Sequence, residues 1–473
     1  MSVRFPFGAA FAAVAAAILA GCAAQPPYHR PSVEMPVAWK LEAPWKAAQP
    51  DDGAIRGAWW KRFGDAQLDA LQDQAIVASP TLAAAAARLA QARASVDVSS
   101  AGLFPQLALS GRATRLKISE NRPLTNYNSS NFSTVQNDAA LSFNVAYEAD
   151  LWGRVRSTVD AARATAEQSA ADLQNVRLVL ASDLAANYFN LRELDIELDV
   201  LRQSIALQRR ALELATTRHD LGATSGLDVA QQQALLDSTL TQVDVLRRQR
   251  SQFENAIATL TGRPAPLFSL APEASARTAP PVPLGVPSDI LQRRPDVAAA
   301  ERAMAAANAQ IGVARAAYFP SITIGPTLGV DSRALSSLFD ASSLLWSLGI
   351  SIAQPLFDAG RTDANVAIAE AGYQITVANY RRTVLTAMQE VQDGISGSAA
   401  LDRAVAQAAL AEQSAQRVLQ LATDRYEGGV ATYLDVITAQ QSLLNSQRQL
   451  AQLQGQRMLV AVLLVKALGG DWQ

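Results

Sequence analysis

The chain offers few side chains for catalysis or metal binding. Its two histidines are His29 and His219, and its single cysteine, Cys22, cannot form an intramolecular disulfide. The sequence shows no Cys/His metal spacing, no glycine loop that would cradle a phosphate and no nucleophile elbow. A net charge of −2 gives no basic footprint for nucleic acid. We therefore expect no enzyme activity, no metal or nucleotide site, and no nucleic-acid partner.

The one position where chemistry is expected is Cys22. A basic Arg4 and an apolar run over residues 5–20 have the form of a signal peptide, which closes with Leu-Ala-Gly-Cys at residues 19–22. That tetrapeptide is similar to the bacterial lipobox, in which the cysteine is acylated and becomes the mature N-terminus. We expect residues 1–21 to be a lipoprotein signal peptide and Cys22 to carry diacylglycerol and N-acyl chains, with no other cofactor. The alternative is ordinary cleavage beside an incidental cysteine.

Most of the remaining chain is a duplication. Phe-Pro pairs at residues 104–105 and 319–320 lie 215 residues apart, and each ends a run that begins with a proline. Further on, Gly153 and Gly360 lie 207 residues apart, and this offset persists to Gly262 and Gly469. The two repeats are predicted to span residues 79–262 and 288–470. The proline-rich residues 263–287 between them are predicted to be a non-helical linker.

Each repeat predicts the same elements in the same order. A helix of about 25 residues is followed by two alternating strands, which should form a hairpin, and then by a very long helix that reverses at a tip. The first long helix, residues 154–217, would be roughly 95 Å long, and its counterpart covers residues 362–424. The first also carries a heptad seam typical of coiled coils, formed by Leu184, Leu191, Leu194, Leu198, Leu201, Ile205 and Leu212.

The helix tips have clear capping patterns. Gly222 and Gly429 stand where a C-terminal glycine cap belongs. Ser225-x-x-Asp228 and Thr432-x-x-Asp435 are capping-box patterns that open the returning helices. Two long helical hairpins with tight tips are therefore predicted.

The strands predict self-association. No segment after the signal peptide supplies the ~20 apolar residues of a transmembrane helix, so a membrane crossing would require a β-barrel. Four strands cannot close a barrel, because about eight is the practical minimum. Three copies would supply twelve strands and leave an open lumen.

These features together resemble a known family. The lipobox, the segment WWKRFGD at residues 59–65, the Phe-Pro turns and the paired tip motifs are similar to the TolC/OprM outer-membrane factors, in particular to the NodT-like lipoprotein branch. The resemblance implies a mixed α+β, mainly α membrane protein: a homotrimer with a twelve-stranded outer-membrane β-barrel that continues into a periplasmic α-helical barrel. Residues 22–78 would then form an N-terminal extended segment and an equatorial region.

The resemblance also implies a function and partners. The chain would be the exit duct of a tripartite efflux pump in the outer membrane, extending into the periplasm and passively conducting drugs or other toxic small molecules. It would dock onto a periplasmic adaptor (membrane fusion protein) coupled to an inner-membrane transporter, most often of the RND class. Two alternatives stay open: the outer channel of a type I protein-secretion system, and a structural envelope lipoprotein without a pore.

Several residues are candidates for these roles. Adaptor docking is expected at the two tips, and a periplasmic aperture at the start of the returning helices. Ala431 replaces a basic bridging residue and Thr438 an acidic residue of some relatives, which leaves a closing ion pair in question. Aromatic residues near the strand ends could form an interfacial girdle or pack in the core. The docking candidates are Arg218, Gly222, Ala223, Thr224, Ser225, Arg425, Gly429, Val430, Ala431 and Thr432. The aperture candidates are Asp228, Asp435 and Thr438, and the simpler role of the two aspartates is to complement the helix dipoles. The girdle candidates are Tyr147, Trp152, Trp346 and Phe357.

Overall fold

The computed structural model describes residues 25–31, 57–117, 135–275, 277–281 and 293–470. The predicted signal peptide and Cys22 lie outside the described residues. The chain divides into two units. The strand unit comprises Met1–Pro31, Leu89–Ser169 and Ala300–Tyr380, and the hairpin unit comprises Ser32–Arg88, Ala170–Ala299 and Arg381–Gln473.

The elements follow one another in the same order twice. Each series contains a helix of 22 residues, two antiparallel strands, a helix of 67 residues and a helix of 35 residues. A further short helix precedes the first series. The bounds are α1 Ala66–Ala78, α2 Pro80–Ala101, β1 Gln106–Lys117, β2 Val135–Glu148, α3 Arg154–Asp220, α4 Gly226–Leu260, α5 Pro295–Ala316, β3 Ser321–Ser332, β4 Leu344–Ala353, α6 Arg361–Glu427 and α7 Tyr433–Ala467.

Both long helices are continuous. The helix predicted over residues 154–217 extends three residues further, to Asp220. The second runs unbroken through Gly372, Gly394 and Gly397, although glycine costs about 1 kcal/mol against alanine in a helix interior. Gly394 offsets this by close packing, since a Cβ there would lie 2.9 Å from the Leu464 Cδ1 atom of α7. Among the described helices, none is both long enough and apolar enough to cross a bilayer.

The linker after Gly262 departs from the prediction at one place. Residues 265–267 form a single 3-10 turn, in which the Leu267 N–H donates to the Pro264 carbonyl oxygen at 2.9 Å. The proline ring presets the backbone for such a turn, so the non-helical prediction was wrong for these three residues.

The four strands form one antiparallel sheet in the order β1-β2-β3-β4. Both predicted hairpins are confirmed, and the sheet adds a β2–β3 pairing that the sequence did not predict. Because successive side chains of a strand point to opposite faces, the sheet has one apolar and one polar face. A row of apolar residues crosses all four strands through directly paired positions, Leu109, Phe143, Leu328 and Trp346, and each is at least half exposed. The opposite face carries Ser110, Ser142, Asn144 and Thr327, which hydrogen-bond to one another.

Residues 25–31, here called the N-terminal strap, pack against the rest of the strand unit. Gln25 lies over Gly312, where an added Cβ would come within 2.8 Å of the Gln25 Cβ atom. The Asn308 side-chain amide donates to the Pro26 carbonyl oxygen at 2.9 Å, and the Arg30 guanidinium donates to the Tyr380 hydroxyl at 2.8 Å. The absence of a side chain at Gly312 thus provides the space that the strap occupies.

The core of the hairpin unit confirms the heptad seam. The predicted seam residues from Leu184 to Ile205 are buried, and Leu212 is partly buried against them. A 3-10 turn before α1 carries Trp59, Trp60 and Phe63, which pack in one cluster with the first seam residues, Leu184 and Leu191. From Leu194 onward, the seam packs against Leu236, Val243 and Leu246 of α4. Removal of these side chains from water is the main term that holds the long helices together.

A buried ionic network fixes the linker to the hairpin unit. The Asp195 carboxylate accepts from Arg192 and Arg250, both at 2.6 Å, and from the Glu273 N–H at 3.1 Å. Arg192 and Arg250 also donate to the linker carbonyl oxygens of Ala271 and Leu270. Asp195 is 1% exposed and Arg192 is 3% exposed, so the pairing offsets the large desolvation cost of both charges.

One carboxyl group in the hairpin unit is poorly matched to its surroundings. Glu193 occupies the space left by Gly455 of α7, because a Cβ at that glycine would lie 2.5 Å from Glu193 Oε2. Glu197, one turn further along α3, is itself paired with Arg448 at 2.9 Å. Burial, and to a smaller extent the Glu197 charge, raise the pKa of Glu193 from 4.5 to about 7.

The raised pKa of Glu193 predicts a pH-dependent stability. The folded state binds the proton more tightly than the unfolded chain, so the free energy of unfolding should fall as pH rises from about 4.5 to about 7. Glu193→Gln should remove this component and stabilise the protein at pH 8 more than at pH 5, as measured by thermal unfolding in detergent. Glu213→Gln, at an exposed position on the same helix, is the control. An unchanged pH profile in Glu193→Gln would contradict the prediction.

Candidate functional site: the two hairpin tips

The two helix reversals share one backbone geometry. Gly222 and Gly429 both have φ of 75°, a left-handed conformation that favours glycine. At the first tip the Ala223 N–H donates to the Arg218 carbonyl oxygen at 2.8 Å, and at the second the Val430 N–H donates to that of Arg425 at 3.0 Å. Each is a Schellman motif. The predicted C-terminal glycine caps are therefore confirmed.

The returning helices begin with two different caps. At Thr432 the capping box is present, with Thr432 N–H and hydroxyl both donating to the Asp435 carboxylate, at 3.0 and 2.8 Å. At Ser225 the hydroxyl accepts from the Leu227 N–H at 3.1 Å, and the Asp228 N–H donates to the Ser225 carbonyl oxygen. The capping-box prediction was wrong for the first tip, because the serine side chain turns to the second helical residue instead of the third.

These bonds make Asp435 an ionised cap. Hydrogen bonds from Thr432, and more weakly the charge of Arg425, hold the pKa of Asp435 below its ordinary value. A carboxylate in the first turn also complements the helix dipole. The structure therefore gives Asp435 a capping role whether or not it also narrows a pore.

The cap at Asp435 predicts local fraying on protonation. A carboxylate with a lowered pKa contributes stability above its unfolded value, and the contribution is lost as pH falls through the lower, folded value. Asp435→Ala should speed hydrogen exchange of the α7 amides from Tyr433 to Val436 at neutral pH. Asp228→Ala should change exchange at the start of α4 less, since Ser225 is the cap there. Equal effects at the two tips would refute this assignment.

Aromatic residues join the two hairpins at their tips. Tyr433, the first residue of α7, is 5% exposed, and its hydroxyl donates to the Gln232 side chain of α4 at 3.0 Å. The Tyr433 ring packs against Tyr426, with centroids 5.0 Å apart. The Arg218 guanidinium lies 5.0 Å from the centre of the Tyr426 ring, within cation–π range. One predicted docking residue, Arg218, is therefore already in contact with the second hairpin.

Sequence reasoning missed Tyr426, Tyr433 and Gln232. A signal was available: Tyr426 and Tyr433 stand three residues before and four residues after Gly429, the tip glycine of the second hairpin, so a tight reversal there brings them close together. Gln232 gave no such signal, because a glutamine among several in α4 is indistinguishable from a solvated residue. Only the packing of α4 against α7 identifies it as fully buried.

The remaining predicted residues are placed as follows. Arg425, Gly429 and Val430 are exposed at the second tip, and Ala431 is half-buried there. The Thr224 hydroxyl donates to the Ala215 carbonyl oxygen at 3.4 Å, and the exposed Thr438 hydroxyl donates back to that of Leu434 at 2.8 Å.

The girdle candidates have different environments. Trp346 and Phe357 are exposed, whereas Tyr147 is half-buried. Trp152 stacks on Phe319 with ring centroids 4.7 Å apart and donates to the Pro320 carbonyl oxygen at 2.8 Å. For Trp152 the structure therefore favours the core-packing alternative.

Comparisons with known proteins agree with this architecture. A family model described as outer membrane efflux protein matches residues 71–263 and 286–470. The pyoverdine export outer membrane protein OpmQ of Pseudomonas putida is 34% identical over 442 residues, which cover 93% of this chain and 92% of that protein. The cation efflux system protein CusC of Escherichia coli is 30% identical over 460 residues, covering 96% and 97%.

A solved structure extends the match to the fold. The CmeC outer membrane channel of Campylobacter jejuni superposes with a TM-score of 0.86 at 26% identity, and the match covers 95% of each chain. Sequence and fold thus agree over nearly the whole length of the chain. It belongs to the outer membrane efflux protein family and is the outer-membrane exit duct of an efflux system.

Proposed function

We propose that the duct is a homotrimer whose twelve strands close into one β-barrel, continued by an α-helical barrel in the periplasm. The observation that carries the proposal is the four-stranded sheet with an apolar face and two outer strands, β1 and β4. In lipid, such edges would leave backbone groups unsatisfied at several kcal/mol each. Helix α2 supports the same assembly, because only Ala85 of its 22 residues is buried in one chain.

The trimer is tested on purified, detergent-solubilised protein. We expect an oligomeric band in unheated gel samples that collapses to the monomer on boiling, a trimer mass by light scattering, and conductance in planar bilayers. A monomer without conductance would refute both the trimer and the duct that it forms.

We propose that both hairpin tips dock onto a periplasmic adaptor, which couples to an inner-membrane transporter of the RND class. The support is the exposed, small-residue surface at Ala223, Ser225 and Gly429, which would allow another backbone to approach closely. A photocrosslinking amino acid at Ala223 or Val430 should capture the adaptor in cells. The same group at Ala206, an exposed alanine higher on α3, should not. Capture from position 206 alone would contradict docking at the tips.

We propose that Asp228, Asp435 and Thr438 surround the periplasmic aperture in the trimer. Three-fold copies of the two aspartates would narrow the opening and favour cations. Ala431 cannot form an ion pair, so the Arg218–Tyr426 and Tyr433–Gln232 contacts are the better candidates for holding the hairpins together. Asp435→Ala should lower the cation-to-anion permeability ratio of the channel in bilayers, and an unchanged ratio would exclude this residue from the aperture.

We propose that Cys22 carries diacylglycerol and N-acyl chains and that the mature protein is anchored in the outer membrane by lipid as well as by its strands. The motif at residues 19–22 supports this. Mass spectrometry of the mature N-terminal peptide should find the acylated cysteine, and Cys22→Ala should remove it. An unmodified mature N-terminus would refute the anchor. The cargo, by analogy with export of pyoverdine and of cations by the two relatives, is expected to be small solutes.

A further inference from the structure

The two strand hairpins share one register. Residues of β3 stand 215 positions after those of β1, and residues of β4 stand 207 positions after those of β2, the offsets of the duplication. Gln106 pairs with Ala146, and the positions reached by these two offsets are Ser321 and Ala353, which are paired in the structure. At the opposite end of the paired region, the same offsets carry Leu116 to Asp331 and Gln136 to Ser343. The β3–β4 pairing ends at Val330 and Leu344, so the second hairpin has already opened into its turn at these positions. The offsets therefore carry one hairpin onto the other without any slip in register.

Among the described strands of one chain, the pairing between the two hairpins has no counterpart. Strand β2 pairs with β3 antiparallel, with Phe143 opposite Leu328 and Glu148 opposite Thr323. The counterpart of β2 is β4 and the counterpart of β3 is β1, but within the described sheet β4 and β1 are the two outer strands. The missing pairing must therefore be sought between two copies.

We propose that β4 of one copy pairs antiparallel with β1 of the next copy in a single register, with Ile350 opposite Ala113 and Ala353 opposite Ser110. This follows when the same offsets are applied to the β2–β3 register. The pair Phe143–Leu328 gives Ile350 opposite Ala113, and Ala353 stands opposite Ser110 three positions further along that register. The inference rests on the proposed trimer and adds the residue-level partners of its subunit interface.

The two faces of the sheet agree with this register. It places Ile350 and Ile352 on the same face as Leu107 and Leu109 of the next copy, so the apolar surface continues across the interface. A slip by one residue would turn every apolar side chain of one strand to the polar face. A slip by two residues would keep the apolar faces aligned. Among registers that differ by two residues, only the duplication offsets select the proposed one.

Backbone groups at the strand ends also fit. Within one chain the Ala149 N–H donates to the Ile322 carbonyl oxygen at 2.9 Å, just beyond the end of β2. The corresponding groups are the Leu356 N–H of one copy and the Leu107 carbonyl oxygen of the next. Both side chains are exposed in the single chain, Leu356 at 93% and Leu107 at 68%, as expected at an edge that another copy covers.

Paired cysteines test the register in the full-length protein in cells. Ala353→Cys with Ser110→Cys places the two Cα atoms of a directly opposed pair at about 4.5–5.5 Å, which a disulfide can span. Ser351→Cys with Ser110→Cys, and Ser351→Cys with Thr114→Cys, would match slips of two residues in the two directions. Each variant is oxidised with copper phenanthroline and run on a non-reducing denaturing gel, with single-cysteine variants as controls.

We expect covalent trimers from Ala353→Cys/Ser110→Cys, at least tenfold more than from either slipped pair. Preferential cross-linking of a slipped pair would overturn the proposed register. The absence of any cross-link in protein that still gives an oligomeric band in unheated samples would also overturn it, while leaving the trimer intact. Loss of the oligomeric band in the unmutated protein would instead refute the trimer itself.

Discussion

Asp195→Ala should lower the free energy of unfolding by about 3–5 kcal/mol, the usual cost of removing one partner of a buried ion pair. The carboxylate pairs with two guanidinium groups, those of Arg192 and Arg250, and also accepts from the linker backbone. Without it, two cations remain in a site almost closed to water. Denaturation of the detergent-solubilised protein with guanidinium chloride, followed by circular dichroism, measures the change.

The matched control for Asp195→Ala is Asp199→Ala, one turn further along the same helix. Asp199 keeps 38% of its side chain exposed and lies 3.7 Å from Arg202, and pairs this open to solvent contribute about 0–1 kcal/mol. Limited proteolysis gives a second readout, because the linker carbonyl groups at residues 270 and 271 lose their oriented donors only in Asp195→Ala. Similar losses in the two variants would show that the network contributes little.

Gly262→Ala should destabilise the protein by about 2–4 kcal/mol, combining backbone strain with overpacking. Gly262 ends α4 with φ of 70°, where a side chain is strained. A methyl group there would also collide with the backbone carbonyl of Ala78 at the end of α1, and neither backbone segment can yield as a side chain can. The change in unfolding free energy and the loss of thermal resistance both measure this effect.

Gly222→Ala separates backbone strain from overpacking, the two contributions to the destabilisation expected of Gly262→Ala. Gly222 has nearly the same φ, 75°, but an added Cβ there has no neighbouring atom within 4 Å. Only the left-handed backbone penalty remains, about 1–2 kcal/mol. If Gly222→Ala and Gly262→Ala were equally destabilising, the collision with Ala78 would be unimportant.

Local periodicity and the residues that end helices account for the features that the sequence predicted correctly. The seam from Leu184 to Ile205 is visible because helical spacing places those residues on one face, and burial follows from that spacing. The tip glycines are visible because a left-handed residue is needed where a helix reverses. Strand alternation likewise predicted both hairpins, since each hairpin is formed by neighbouring segments.

Contacts between distant segments were not predictable in the same way. The β2–β3 pairing joins residues 175 to 193 positions apart, and either hairpin could pair with another strand without violating its own alternation. The Asp195 network draws on α3, α4 and the linker, and its arginines look like ordinary solvated residues in the sequence. At the tips, the serine cap and the buried Gln232 depend on side-chain directions that local patterns do not encode.

The N-terminal strap sets a limit on the membrane position of the protein if Cys22 is acylated as proposed. Gln25 is held against Gly312, and only two residues separate it from the cysteine. Three residue steps of extended chain reach at most about 11 Å. In that case the acyl chains would enter the bilayer within that radius, which would bring the headgroup level of the inner leaflet close to Gly312. A glycine that makes room for a short peptide would thereby also fix how deeply the sheet is immersed.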